Sequence, residues 1–301
     1  MEQIQIPGKG AEEKQGRSKT AAYASILAAA ALWGIIGLWT KSLMQTGLSS
    51  DTVVTLRNLG GCLLLTAFFL GKDRSVFLVK KEHLKYFFGT GVISVLLFSA
   101  CYFACQKATS LAIASVLLYT APSFVVLLSA LLWREPITKK KVSALLLTLL
   151  GCACVCGIFS SELTVTVGGF LLGLGAGFFY ALYSIFGRYA LRAGYRSITV
   201  TVWTFLFAGP CSLIFLHPSE LAGMTGSHWL LALGMALFST ALPYLLYTTG
   251  LSQVESGKAS IMASLEPVVA SLAGVLVFGE PLGLLTVLGV GCVLAGVYIL
   301  R

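Results

Sequence analysis

Acidic side chains are scarce in this sequence. Only 12 of its 301 residues are Asp or Glu, and charged residues of both signs make up 11%, against roughly a quarter in soluble domains. Such a chain cannot cover a water-facing surface, so a soluble globular protein is excluded and lipid is the solvent for most of it. Histidine is rarer still, with three copies. His83 lies in a basic loop, His217 ends an apolar run and His228 starts one. No Ser/His or Asp/His pairing falls at membrane depth, so a membrane enzyme would lack its usual base. The phosphate-cradling G-x-x-x-x-G-K-[ST] loop is missing, which removes direct drive by ATP. No run alternates with a period of two, which removes a membrane β-barrel. Cysteine is present, but never as C-x-x-C. All eight (Cys62, Cys101, Cys105, Cys152, Cys154, Cys156, Cys211, Cys292) fall in apolar runs. In "CACVC" at 152–156 only Cys152 and Cys156 share a helical face, a poor start for a tetrahedral site. They read as small packing residues, and no metal or other cofactor is expected. "GLGAG" at 173–177 has no strand before it and reads as close helix packing, not a dinucleotide loop.

What the chain does have is apolar length: 57% of its residues are hydrophobic. Ten runs reach or approach the ~20 residues that a span needs: 21–41, 52–71, 86–106, 110–132, 142–160, 166–188, 198–217, 228–251, 257–278 and 283–300. Backbone in hydrocarbon must satisfy its own hydrogen bonds, so each is expected to be a helix. Residues 1–20 are polar and mixed in sign, and read as a disordered tail; the first run is too long for a signal core and reads as a retained span. The net charge of +9 sits in short loops without interleaved aromatics, so it implies no nucleic-acid partner. Sorting the 21 Lys and Arg by the end of the run they flank puts Lys41 and Lys107 on one side, Arg57 inside a run, and all the others on the opposite side. The positive-inside rule then places both termini in the cytoplasm of a multi-pass plasma (inner) membrane protein.

Shifted by 145 residues, the sequence meets itself. Pro122 aligns with Pro267, Glu135-Pro136 with Glu280-Pro281, Ala114-Ser115 with Ala259-Ser260, Tyr102 with Tyr247 and Gly151 with Gly296; a shift of 147 aligns Gly34 with Ala181 and Lys41 with Arg188. Residues 21–160 and 161–301 are therefore read as two five-helix repeats. Five is odd, so the second enters the membrane inverted, an arrangement of transporters with a site where the halves meet. "ALWGIIGLWTK", "TLRNLGG", "SVLLYTAPSFVVLLSALLWREPITKKKVSALLLTLLG" and "ASIMASLEPVVASLAGVLVFGEPLGLLTVLGVGCVLAGVYIL" resemble the EamA-type transporters of the drug/metabolite transporter superfamily over residues 21–300. The resemblance implies an all-α membrane protein of ten helices around a central cavity lined by helices 1, 3, 4, 6, 8 and 9. It also implies export of amino acids or other small metabolites. "SLEP" is similar to the pattern in threonine/homoserine exporter-like members.

Glu266 is the candidate that stands out. It lies nine residues into the ninth run, about 13 Å deep, near the middle of a ~30 Å core, where an ionised group costs a few kcal/mol. Its repeat partner is Ala121, so the fold needs the proline of each half but not the acid. Glu266 is read as a cavity carboxylate that binds a substrate amine or takes up a proton; the competing reading is a group satisfying the backbone around a kink. Pro122 and Pro267 free a carbonyl one turn back and mark gating kinks. Arg57, about 9 Å below the outer surface, pairs with a substrate anion, Glu266 or Asp51, or else snorkels or bridges helices 1 and 2. Trp33, Ser99, Tyr102, Tyr119, Tyr183, Tyr244, Tyr247 and Ser264 are expected to line the cavity, with Trp39, Gln106, Thr120 and Tyr180 near it; Trp39 and Tyr180 could instead form an interfacial belt. Glu135 and Glu280 read as structural acids at the turn into the next helix. The expectation is a secondary carrier working by alternating access, driven by a proton gradient or by exchange, and exporting amino acids or similar metabolites. The alternatives are import or exchange of another metabolite, a membrane enzyme, or a non-transporting scaffold. The partners implied are a small-molecule substrate and the bilayer, and the fold does not demand an oligomer.

Overall fold

The computed structural model describes residues 9–160, 166–279 and 283–300, all helix, turn and loop with no strand among them. Eight helices are long and apolar enough to cross a membrane: α1 (Lys19–Met44), α2 (Ser50–Lys72), α3 (Lys81–Ala108), α4 (Leu111–Trp133), α6 (Val167–Arg192), α7 (Ser197–Phe215), α8 (Gly226–Leu251) and α9 (Ser256–Val277). Two shorter ones, α5 (Lys139–Val155) and α10 (Leu284–Ile299), complete the order. Helical backbone starts at Lys9, inside the stretch expected to be disordered. That stretch is rich in Ala, Glu, Gln and Lys, all good helix formers; residues 1–8 lie outside those described.

The direction of each helix follows from which loops touch. At one end, Arg196 before α7 pairs with Asp73 after α2 at 2.6 Å, and Lys80 donates its backbone N–H to the Tyr195 hydroxyl. Lys141 of α5 pairs with Glu255 before α9 at 3.0 Å. This end, which we call the basic rim, gathers the α2–α3, α4–α5, α6–α7 and α8–α9 connections. At the other end Lys107, closing α3, faces Asp51, opening α2, at 3.5 Å. Glu220, between α7 and α8, accepts from the N–H and hydroxyl of Ser49. Helix α1 therefore leaves the basic rim whereas α6 arrives at it, so the second half is inverted against the first.

Pairings between helices repeat with the same exchange. Helix α1 packs on α8 and α9, while α6 packs on α3 and α4; α2 packs on α7, and α5 on α10. The α5–α10 seam shows it atom by atom. A Cβ on Gly151 would sit 2.7 Å from the Gly289 carbonyl and from Val293, and one on Gly296 would meet Thr148 at 2.7 Å and the Ala144 carbonyl at 2.9 Å. Under the 145-residue shift these are equivalent contacts. Both α3 and α8 widen to π-type hydrogen bonding at matched places, Gly89–Leu96 and Leu237–Ala241. Both α4 and α9 are broken before their prolines, into Leu111–Leu118 plus Ala121–Trp133 and Ser256–Ala263 plus Glu266–Phe278. Both end in the left-handed region, at Arg134 (φ 54°) and Gly279 (φ 66°).

Large apolar side chains such as Leu63, Leu131, Ile214 and Leu276 point outward, whereas Thr52, Thr55, Asn58, Thr201, Thr204 and Thr248 are fully buried. The bundle is thus apolar outside and comparatively polar within, as a lipid solvent requires.

Candidate functional site

The break in α9 sets Glu266 at the start of its second segment. Pro267 cannot donate, so it sits in the first turn, where no donation is needed. Opposite, Gly34 of α1 comes close: an added Cβ would lie 2.7 Å from the Glu266 carbonyl and 2.6 Å from Val269. In the other half Ala181 of α6 packs on Ala121 and Val125, so both crossings are held by small residues.

Glu266 is part-buried. Tyr119, in the break of α4, is its hydrogen-bonding neighbour, and the Arg57 guanidinium is the cation whose field reaches it. The carboxylate in turn acts on Tyr102, Tyr180 and Tyr244 and on the thiols of Cys152 and Cys156. Arg57 donates to the Tyr244 hydroxyl at 3.4 Å, and its Nε is buried with no partner. Its neighbour Asn58 has neither amide atom paired.

An aromatic block stands beside these charges. Trp33 meets Tyr244, Tyr247 and Tyr180 with centroids at 5.2, 5.4 and 6.5 Å, and Tyr183 meets Tyr244 at 5.0 Å. The hydroxyls are anchored: Tyr183 to Thr248 at 2.7 Å, Tyr247 to Ser184 at 2.7 Å, and Tyr102 to Ser115 at 3.1 Å. This holds the rings in fixed orientations, with the Tyr244 oxygen turned to Arg57. Glu266, Arg57, Trp33, Tyr102, Tyr119, Tyr180, Tyr183, Tyr244 and Tyr247 are therefore brought together between the halves.

Other candidates make different contacts. Ser99 is buried but donates to the Val95 carbonyl of its own helix. Ser264 is buried in the α9 break. Asp51 is taken by Lys107 and lies 4.0 Å from His217, so Arg57 looks inward and not to Asp51. Trp39 packs its ring against Gly234 and stacks on Phe238, and Tyr180 packs against Trp33 and Phe98. Glu135 caps a different helix from the one expected: its oxygens accept from the N–H groups of Ser256 and Gly257 at the start of α9, at 3.1 and 3.4 Å. Glu280 lies outside the described residues. Missed in the sequence were Ser184, Thr201 and Thr248, the anchors of the aromatic block. Ser184 and Thr248 each directly follow a tyrosine, a pattern common in any membrane helix, and Thr201 has no tyrosine within a turn.

Among the described residues no three His, Cys, Asp or Glu side chains gather as metal ligands would.

The EamA-like transporter family model matches residues 20–157 and again 167–301. The chain belongs to that family. It is 30% identical over 255 residues to an uncharacterized transporter of Archaeoglobus fulgidus, covering 84% of this chain and 88% of that one. It is also 30% identical over 248 residues to the threonine/homoserine exporter RhtA of Escherichia coli K12, covering 81% and 79%. A solved crystal structure superposes with a TM-score of 0.77 at 20% identity, covering 93% of this chain and 96% of the other; that likeness shows the fold. The chain is thus a multi-pass membrane protein of a transporter family.

Proposed function

We propose that the protein is a secondary carrier that exports amino acids or similar small zwitterions by alternating access of residues 21–160 against 161–301. The observation that carries this reading is that Arg57 of the first half and Glu266 of the second lie within electrostatic reach of each other, not in direct contact, with an aromatic wall beside them. A zwitterion offers a carboxylate for the unsatisfied Arg57 donors and an ammonium for Glu266 and Tyr119. Uptake of a proton by Glu266 would release that ammonium, which makes proton exchange a natural drive; substrate exchange is the other. Trp33, Tyr102, Tyr183, Tyr244 and Tyr247 would shape the cavity, with Ser99 and Ser264 at its margins, and helices α4 and α9 would bend at Pro122 and Pro267 as gates. The 30% identity to a threonine/homoserine exporter supports this substrate class. The basic rim would face the cytoplasm of the plasma membrane, with both termini there.

The test is transport in proteoliposomes under an imposed proton gradient, with threonine and homoserine as first substrates. Wild type should show pH-dependent flux. Glu266→Gln should lose the pH dependence, and Arg57→Gln should raise the half-saturating concentration at least tenfold. Unchanged rates and an unchanged pH profile in Glu266→Gln would remove the carboxylate from the mechanism. Cellular amino-acid pools fix the direction: expression lowers them for export and raises them for import.

A further inference from the structure

A cavity of about 440 Å³ opens at the basic rim, away from the Glu266 site. Its wall is Arg188, Leu191, Arg192, Tyr195, Arg196, Ser197, Ile198, Thr249 and Ser252, from the end of α6, the start of α7 and the end of α8. Three guanidinium groups on one cavity are unusual in a chain with 21 cations in all. Each guanidinium has five N–H donors, and the neighbouring groups leave several unspent. Arg188 gives Nε to the Ser256 hydroxyl and Nη2 to the Val254 carbonyl. Arg192 lies over the Trp133 ring at 5.1 Å, a contact that uses its face and leaves its edge free. Arg196 gives Nη1 to Asp73, the one carboxylate among the described residues paired directly with the trio, while Glu135 and Glu255 act on Arg188 from a longer distance.

The first residues of α7 add to this. Arg196 is its N-cap and gives no side-chain cap, so the opening amides of α7 lie beside the cavity at Ser197 and Ile198 without a cap from that side chain. The wall combines cationic forks with the apolar Leu191 and Ile198. That combination suits a phosphate group carried at a membrane surface, where basic clefts between helices hold anionic headgroups.

We infer that this cavity is a phosphate-binding site, filled by the headgroup of an anionic phospholipid or by a free phosphate, with Arg188, Arg192 and Arg196 as its donors. Arg188 stands one turn from Ser184, which holds Tyr247, so the cavity adjoins the rim side of the aromatic block; the inference does not depend on the carrier reading.

The experiment uses the purified, delipidated full chain. In one arm phosphatidylglycerol or phosphatidylcholine is titrated and bound lipid counted by native mass spectrometry. In the other, inorganic phosphate is titrated by calorimetry. Preferential retention of phosphatidylglycerol, unaffected by millimolar phosphate, assigns the headgroup. Phosphate binding that displaces the lipid assigns the free anion. Arg192→Gln with Arg196→Gln should weaken the bound species at least tenfold. Lys139→Gln with Lys140→Gln removes equal charge from exposed positions of the same rim and should change binding less than twofold. Thermal unfolding of each pair checks folding, and Arg192→Gln alone, which breaks no ion pair among the described residues, should still weaken binding severalfold. The inference is overturned if neither species binds, if both lipids bind alike, if the arginine variants bind as wild type, or if the lysine pair weakens binding equally.

Discussion

Lys141 offers a sharp test of how the two halves are joined at the basic rim. Its side chain is 1% exposed, with Nζ 3.0 Å from Glu255 and 3.8 Å from Glu135. The Glu135 side chain is itself 10% exposed and also accepts from two backbone N–H groups of α9. Lys141→Met keeps the volume and the start of α5 but strips the buried Glu135 carboxylate of its nearest cation, leaving the more distant Arg188. Breaking a buried pair from one side costs about 3–5 kcal/mol. Two features pull this case to the lower end: the α9 amides still hold Glu135, and Glu255, at 38% exposure, regains water. The expected loss is about 3 kcal/mol, read as unfolding free energy in a denaturant titration in detergent. Glu135→Gln in the Lys141→Met background removes the stranded charge and should return about 2 kcal/mol, giving a coupling well above the few tenths expected of independent sites. Lys139→Met and Lys140→Met, at exposed positions, should stay within about 0.5 kcal/mol. A Lys141→Met loss under about 1 kcal/mol, or strict additivity with Glu135→Gln, would refute the picture of a buried ionic tie.

Arg134 is the only described non-glycine residue with positive φ, where its repeat partner is Gly279. Arg134→Gly should therefore stabilise by about 1 kcal/mol and Gly279→Ala destabilise by a similar amount, measured in the same titration; destabilisation by Arg134→Gly would contradict the backbone assignment. Gly151→Val forces a branched side chain against the Gly289 carbonyl at 2.7 Å and should cost about 1–3 kcal/mol by overpacking, with Gly296→Val giving a matching loss; a silent Gly151→Val would deny the α5–α10 seam. Outside the spans, the Ser49 backbone N–H and then the Thr52 hydroxyl hold the Glu220 carboxyl below the usual carboxylate range, and the Ser75 hydroxyl followed by Arg196 does so for Asp73. Depressed values mean stabilisation present in full above the unfolded carboxylate value of about 4 and lost as pH falls through the folded one. The stability gap between wild type and Glu220→Gln should therefore be open at pH 7 and close in acid; parallel pH curves would exclude this linkage.

Helix existence, helix direction and the repeat were readable because each is written redundantly: apolar length, loop charge and a 145-residue self-match all report one topology. The breaks in α4 and α9 were readable from Pro122 and Pro267, since proline constrains its own backbone. Glu135 was misassigned because sequence shows only local neighbours. It stands six residues before Lys141 and reads as belonging to α5, whereas the inverted packing carries it to α9. Arg57 was ambiguous for the same reason. Depth can be counted along a helix, but the face it presents depends on which helix packs there, and only the fold shows that Tyr244 stands opposite while Asp51 is held by Lys107. Ser99 is placed at the cavity by depth alone, and sequence does not show that its short side chain donates to the Val95 carbonyl of its own helix.

The repeat also separates what folds the protein from what the site does. Where the halves agree, in the glycine seam of α5 and α10, the π-type stretches of α3 and α8, the prolines and the left-handed ends, they repeat a structural need. Glu266 has Ala121 as its counterpart. In α2 and α7 a shift of 147 applies, since it brings Cys62 onto Gly209, whose added Cβ would lie 2.7 Å from the Cys62 Cβ; under that shift Arg57 has Thr204 as its counterpart. Each half therefore folds the same local frame without the charge. A cation in one half and an anion in the other, each placed at a cost of a few kcal/mol where its twin does without, are hard to explain by folding alone. Arg57 holds Tyr244 and Glu266 neighbours Tyr119, on opposite halves of one aromatic block, so rocking of one half on the other would change the distance between the two charges. Binding a group with one charge of each sign would then couple directly to that motion, whereas a neutral or purely anionic solute would engage only one side.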